Sequence, residues 1–111
     1  MLIDEMTEPL DERQQMNTEF DREYFCYTAL NLINGKRQDN YGEAERNFSR
    51  IADIWSAILD EKLKCPITPG EVAACMVGVK LSRLSNDVSH RDSWVDIIGY
   101  AALGGEITSD K

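Results

Sequence analysis

Asp92 and Asp96 stand four residues apart in the last third of this 111-residue sequence. On a helix that spacing stacks two carboxylates on one face, a turn apart. Such a pair can share a divalent cation, and Mg²⁺ in particular takes one or two carboxylates together with water and nucleotide phosphates. Both acids also have plain structural uses, Asp92 as the acid of a helix cap begun at Ser89 and Asp96 as the partner of a buried cation. Lys80 and Arg83, three residues apart in an otherwise apolar stretch, supply that cation. An ammonium taken out of water needs a partner, so Lys80 is expected to pair with Asp96 or Asp92. The same two cations suit phosphate oxygens, with the Arg83 guanidinium adapted to bidentate contact.

A second cluster is the segment Lys36-Arg37-Gln38-Asp39-Asn40-Tyr41-Gly42, denser in functional side chains than a helix connector requires. Arg37 suits a phosphate, Asn40 a base or sugar edge, and Tyr41 a stacked ring. The structural alternative is that Asn40 caps the following helix while Tyr41 packs on it. His90 is the sole histidine, and its spacing brings it neither serine nor cysteine, so no nucleophilic triad is argued. No G-x-x-x-x-G-K loop is present.

The elements that must carry these residues read as helices. Phe20, Tyr24, Tyr27, Leu30 and Ile33 recur at three- and four-residue steps, predicting a helix over roughly 18–34 that Asn34-Gly35 ends. Phe48, Ile51, Ala52, Trp55 and Ile58 predict a second over about 43–62, with Arg46, Arg50 and Asp53 turned outward. Thr68-Pro69-Gly70-Glu71 is a helix start with N-cap, first-turn proline and capping glutamate. The third helix beyond it has so little polar face that it is expected to be covered on most sides. A fourth begins at Ser89 to Asp92 and is expected to stop at Gly104-Gly105. Trp55 and Trp94 fall on apolar positions and are expected in the core. The predicted fold is all-α: a four-helix bundle over 18–105, an acidic flexible arm over 1–17 and a loose tail over 106–111. So small a bundle with one nearly apolar helix is expected to complete its core as a homo-oligomer.

Composition narrows the function classes. Twenty acids against twelve bases give a net charge of −8, which repels a nucleic-acid backbone, so no direct nucleic-acid partner is expected. Residues 1–24 concentrate the acidity, with eight carboxylates against Arg13 and Arg22. The longest apolar run, Val72 to Val79, is far below the roughly 20 residues of a membrane span. A cytoplasmic protein without a membrane partner is expected. The three cysteines lack a CxxC spacing, and buried, reduced thiols are expected of them.

Arg37 to Gly42, Asn47-Phe48, Ile51-Ala52, Trp55, Ile67-Thr68-Pro69, Glu71-Val72-Ala73, Lys80-x-x-Arg83 and the run Asp92 to Ala101 together resemble a family of small uncharacterised phage and prophage proteins, over roughly residues 24–105. The last helix is similar to that of MazG-like all-α nucleoside triphosphate pyrophosphatases, and Asp39-Asn40-Tyr41-Gly42 to nucleotide-modification-associated domains of phages. MazG-like enzymes bind Mg²⁺ through an E-E-x-x-E motif on one helix and E-x-x-D on the next, activating water against a nucleotide phosphate. The resemblance places Asp96 at the final aspartate, while Ser93 replaces the glutamate before it and leaves Asp92 to compensate. It also makes Glu71 the sole acid of the earlier motif, since Val72 to Cys75 follow it. The implied metal set is thus Asp92, Asp96 and Glu71, with Asp92 and Asp96 catalytic, Lys80, Arg83 and Arg37 on phosphates, and Asp39, Asn40 and Tyr41 on the rest of a nucleotide. The expected function is handling of a small nucleotide: Mg²⁺-dependent pyrophosphohydrolysis at a reduced metal site, or sequestration of a nucleotide or cyclic-nucleotide defence signal without turnover. An acidic inhibitor of a host protein is the competing expectation.

Overall fold

A computed structural model of the chain describes residues 19–35 and 41–109. Within them the fold is all-α, with four helices, a single 3-10 turn and no strand: α1 Arg22–Asn34, α2 Tyr41–Ile58, the turn Asp60–Lys62, α3 Pro69–Asn86 and α4 Arg91–Thr108. The proposed arm and the segment 36–40 lie outside the described residues.

Local chemistry sets most of the helix ends. Asp21 caps α1, its carboxylate accepting the Tyr24 N–H at 2.8 Å, so the helix begins later than its apolar period suggests. The Gly35 N–H donates to the Asn31 carbonyl at 2.7 Å and closes α1 where Asn34-Gly35 predicts. Beyond Ile58 the chain tightens into the 3-10 turn, so α2 is shorter than expected. The Ile67 N–H then donates to Ser56 Oγ at 2.8 Å, which holds the connection against α2. Thr68 and Glu71 form the predicted capping box: Thr68 Oγ1 accepts the Glu71 N–H at 3.2 Å, and Glu71 Oε1 accepts the Thr68 N–H at 2.9 Å.

The start of α4 departs from expectation. Ser89 does not cap the helix; its hydroxyl donates to Asp87 Oδ1 at 2.7 Å, and His90 is the N-cap residue without a side-chain cap bond. The two Ser89 donors, hydroxyl first and backbone N–H second, hold the Asp87 carboxyl below its ordinary value of 3.8. The end of α4 departs further, since the helix passes straight through Gly104-Gly105 to Thr108. No described glycine has positive φ. Gly104 is a packing residue: a Cβ there would stand 2.9 Å from the Ala73 Cβ of α3, and one at Gly70 would collide with Thr108 Cγ2.

The closely packed antiparallel pair α3–α4 forms the centre. α1 packs on α4 and α2 on α3, so these two lie at opposite edges. Phe48, Ala52, Val72 and Ala73 make the buried core, with Trp55, Ile67, Met76 and Tyr100 against it. The Phe48 and Tyr100 rings sit 6.2 Å apart. At the start of α1, the Arg91 guanidinium lies over the Phe20 ring at 4.3 Å, tying that end to α4.

Three burial expectations are corrected. α3 is not covered on most sides, since Val79 and Leu81 are exposed. Trp94 is 42% exposed, its indole N–H donating to the Val88 carbonyl at 2.8 Å, because it falls on the side of α4 away from the core. Cys26, Cys65 and Cys75 are free, as expected, but exposed rather than buried.

Candidate functional site

The Lys80–Asp96 pair forms as the sequence predicts. Lys80 Nζ lies 3.1 Å from Asp96 Oδ2, with side chains 18% and 34% exposed. The ammonium that α3 draws toward the interior thereby finds a carboxylate one helix away. Asp92 and Arg83 are exposed.

The three expected metal ligands are not assembled. Glu71 lies at the start of α3 and its Oε1 is engaged by Thr68, whereas Asp92 lies at the start of the antiparallel α4. Since Gly70 abuts Thr108 and Lys80 reaches Asp96, Glu71 and Asp92 sit at opposite ends of the hairpin, on the order of 20 Å apart at 1.5 Å per residue. No group of three or more His, Cys, Asp or Glu side chains able to hold a metal exists among the described residues. The donors present therefore do not fit the Mg²⁺ cage that the resemblance implies. His90 Nδ1 is within 2.7 Å of Ser93 Oγ, but Ser93 is fully buried and closed to a substrate.

A concave feature among the described residues lies elsewhere. Because α1 and α2 occupy opposite edges, a cleft of about 840 Å³ opens between them over α4. Leu32 and Ile33 of α1 form one wall, Glu43, Arg46, Asn47 and Arg50 of α2 the other, and Phe48, Tyr100 and Leu103 the apolar floor. A recess of about 220 Å³ shares Leu32, Ile33, Tyr100 and Leu103 with the cleft and runs between α1 and α4 to Ala29, Val95, Gly99 and Asp96. The two guanidinium-bearing positions, Arg46 and Arg50, are one helical turn apart, so the α2 side of the cleft carries two cations beside the Glu43 carboxylate, and the adjoining recess reaches Asp96. A Cβ at Gly99 would come within 3.4 Å of Ile33 Cγ2, so glycine there lets α1 approach α4 closely beside the recess.

Of the residues singled out from the sequence, Asp96 lines the recess; Lys80 reaches it through the ion pair. Arg83, Asp92 and Glu71 are not among the lining residues. Arg37, Asp39 and Asn40 lie outside the described residues, in the segment bounded by Gly35 and Tyr41; Tyr41 opens α2. Sequence reasoning missed Arg46, Asn47, Arg50 and Tyr100. The available signal was an Arg pair at i and i+4 flanking an amide and a phenylalanine, which reads equally well as a solvated helix face.

Fold and cleft together define a small all-α domain in which a helical hairpin carries two edge helices around an open, partly cationic cleft. The chain belongs to the DUF6378 family, a domain of unknown function, matched by residues 26–108. It is similar to the Gene 55 protein of Mycobacterium phage L5, 41% identical over 76 residues that make up 68% of this chain and 47% of that protein. It is also similar to the Gene 55 protein of Mycobacterium phage D29, 38% identical over 73 residues, 66% of this chain and 46% of that one. The chain thus spans about half the length of these phage relatives. No solved structure matches it. No helix among the described residues is long and apolar enough to cross a membrane.

Proposed function

We propose that this phage-family domain binds a nucleotide in the α1–α2–α4 cleft and holds it without hydrolysing it. The observation that carries the reading is the cleft itself. Its size falls in the range of small-molecule sites, and its wall is largely polar, with Arg46, Asn47 and Arg50 facing a smaller apolar floor. Arg46 and Arg50 suit phosphate oxygens. The Tyr100 ring offers a surface for a base, and the Asp96 carboxylate, which lines the recess, is an acceptor for an exocyclic amino group. The similarity of the last helix to MazG-like pyrophosphatases, and of Asp39 to Gly42 to nucleotide-modification-associated domains, supports the same ligand class. Sequestration is favoured over pyrophosphohydrolysis because Asp96 is held by Lys80 and Glu71 serves a helix cap at the far end of the hairpin.

The test is retention. The full chain is incubated with ribo- and deoxyribonucleotides and cyclic dinucleotides, with Mg²⁺ or with chelator, and the retained and filtered fractions are analysed by mass spectrometry. The expected result is an intact nucleotide retained in both buffers, lost in Arg46→Ala/Arg50→Ala at unchanged melting temperature. Monophosphate in the filtrate that disappears in Asp96→Asn would establish turnover and overturn the reading.

A further inference from the structure

Every described glycine but two has a close neighbour where a Cβ would stand. A Cβ at Gly35, Gly42, Gly70, Gly99 or Gly104 would meet another atom at 3.4 Å or less, whereas one at Gly78 or Gly105 would meet nothing within 4 Å. Glycine inside a helix is less favourable than alanine, so two interior glycines opposed by nothing among the described residues are a cost without a return there. Both fall on the same surface. Val72, Ala73, Met76, Lys80 and Leu84 turn α3 toward α2 and α4, which leaves Ala74, Gly78, Leu81 and Ser85 pointing away at helical spacing. On α4, Trp94, Ala101 and Gly105 point the same way, opposite the cleft. This outer face of the hairpin carries no charge between Glu71 and Asn86 on α3, or at its three α4 positions, yet exposes Leu81 at 52% and Trp94 at 42%.

We propose that this face is the interface of a homodimer, with α3 antiparallel on the partner's α3 and α4 on the partner's α4. Three features select a second copy as the occupant. A chain of net charge −8 repels its own copy except through a face free of acids. The spacing is self-complementary about a two-fold axis lying across the helices. Gly78 is at the middle of α3, nine residues after Pro69 and eight before Asn86. Trp94 stands three residues inside one end of α4 and Gly105 three residues inside the other. Since Gly104 meets Ala73 and Lys80 meets Asp96, the two helix midpoints are level. A two-fold there sets each Trp94 over a Gly105 of the other copy and lets the α3 backbones approach at Gly78. The area reaches the lower end of what a specific interface buries: two 18-residue helices, each about 27 Å long and packed about 9 Å apart, present roughly 500 Å² in projection. That is more once side-chain relief is counted, against about 800 Å² per partner in a standard interface.

Sedimentation velocity on the full chain across a concentration series tests this. The wild type is expected as a dimer at micromolar concentration, and Gly78→Glu, which adds a carboxylate at the axis, as a monomer with helical circular dichroism retained. Gly78→Ala cannot disfavour the helix, yet should raise the dimer dissociation constant at least tenfold; Ala57→Glu, on the exposed side of α2, should leave the dimer intact. A monomeric wild type, whose outer face a different protein or the N-terminal segment would then cover, overturns the proposal. So does a dimer that Ala57→Glu dissociates while Gly78→Glu and Gly78→Ala do not.

Discussion

Replacing Gly104 by alanine distinguishes a helix stop from a packing contact. As a stop, Gly104 would be followed by non-helical chain, and alanine would be neutral or would extend the helix. In the structure α4 continues to Thr108, so alanine first gains about 1 kcal/mol of helix propensity. Against that gain, its Cβ would stand 2.9 Å from the Ala73 Cβ, where carbon atoms pack best at roughly 3.5–4.0 Å. The missing distance of somewhat under 1 Å cannot be taken up by a rotamer, because neither alanine has one, and Ala73 is only 2% exposed. The hairpin must spread, and overpacking of this kind costs about 1–3 kcal/mol. The net expectation is a destabilisation of about 1 kcal/mol, which in a domain this small lowers the melting temperature by about 4–8 °C. Thermal and urea unfolding followed by circular dichroism measure it. Ala73→Gly in the same chain moves the methyl group from one helix to the other, so the double variant should return to within about 0.5 kcal/mol of wild type, a large non-additivity between touching residues. A stabilised Gly104→Ala, or a double variant equal to the sum of the singles, would refute the reasoning.

Three further outcomes follow from the same geometry. The Lys80–Asp96 pair lies between the exposed and buried cases, so Lys80→Met should cost about 1–2 kcal/mol; the cycle with Asp96→Asn should show a coupling above about 0.5 kcal/mol, and full additivity would count against the pair. Thr68→Ala removes the capping-box acceptor of α3 and should cost about 1 kcal/mol by urea unfolding, a cost that is absent if the helix start is set by Pro69 alone. The Asp87 carboxyl should titrate below 3.8 by NMR and move only part of the way back in Ser89→Ala, which removes the hydroxyl donor and leaves the backbone N–H in place. With a depressed folded value, its contribution to stability is complete above the unfolded value and fades as pH falls through the lower folded one. A wild-type titration at or above 3.8 would contradict the Ser89 contacts.

What was legible in the sequence was what neighbours in sequence decide. The end of α1 at Gly35, the Thr68–Glu71 box and the all-α class depend on local hydrogen bonding and period, and the Lys80–Asp96 pair on the rule that an inward ammonium needs a carboxylate. The misreadings share another cause. Gly104-Gly105 looks like a stop until Ala73 is brought against it, and Trp94 looks like core until the packing of α4 on α1 and α3 settles which side faces water. Arg46 and Arg50 look like a solvated face because the gap between α1 and α2 is created by the order in which the helices pack, which no spacing within α2 records. Glu71 illustrates the converse: its cap role was legible locally, and its distance from Asp92 follows only once α3 and α4 are antiparallel.

The ligand is proposed to sit in the cleft and not on the Asp92–Asp96 face. Amide chemical-shift mapping of the labelled chain, titrated with the nucleotide that retention selects, tests it most directly. Shifts are expected at Leu32 and Ile33, at Arg46 to Arg50 and at Tyr100, with Asp92 and Arg83 unmoved. Shifts centred on Asp92 and Arg83 that require Mg²⁺, with a silent cleft, would contradict it.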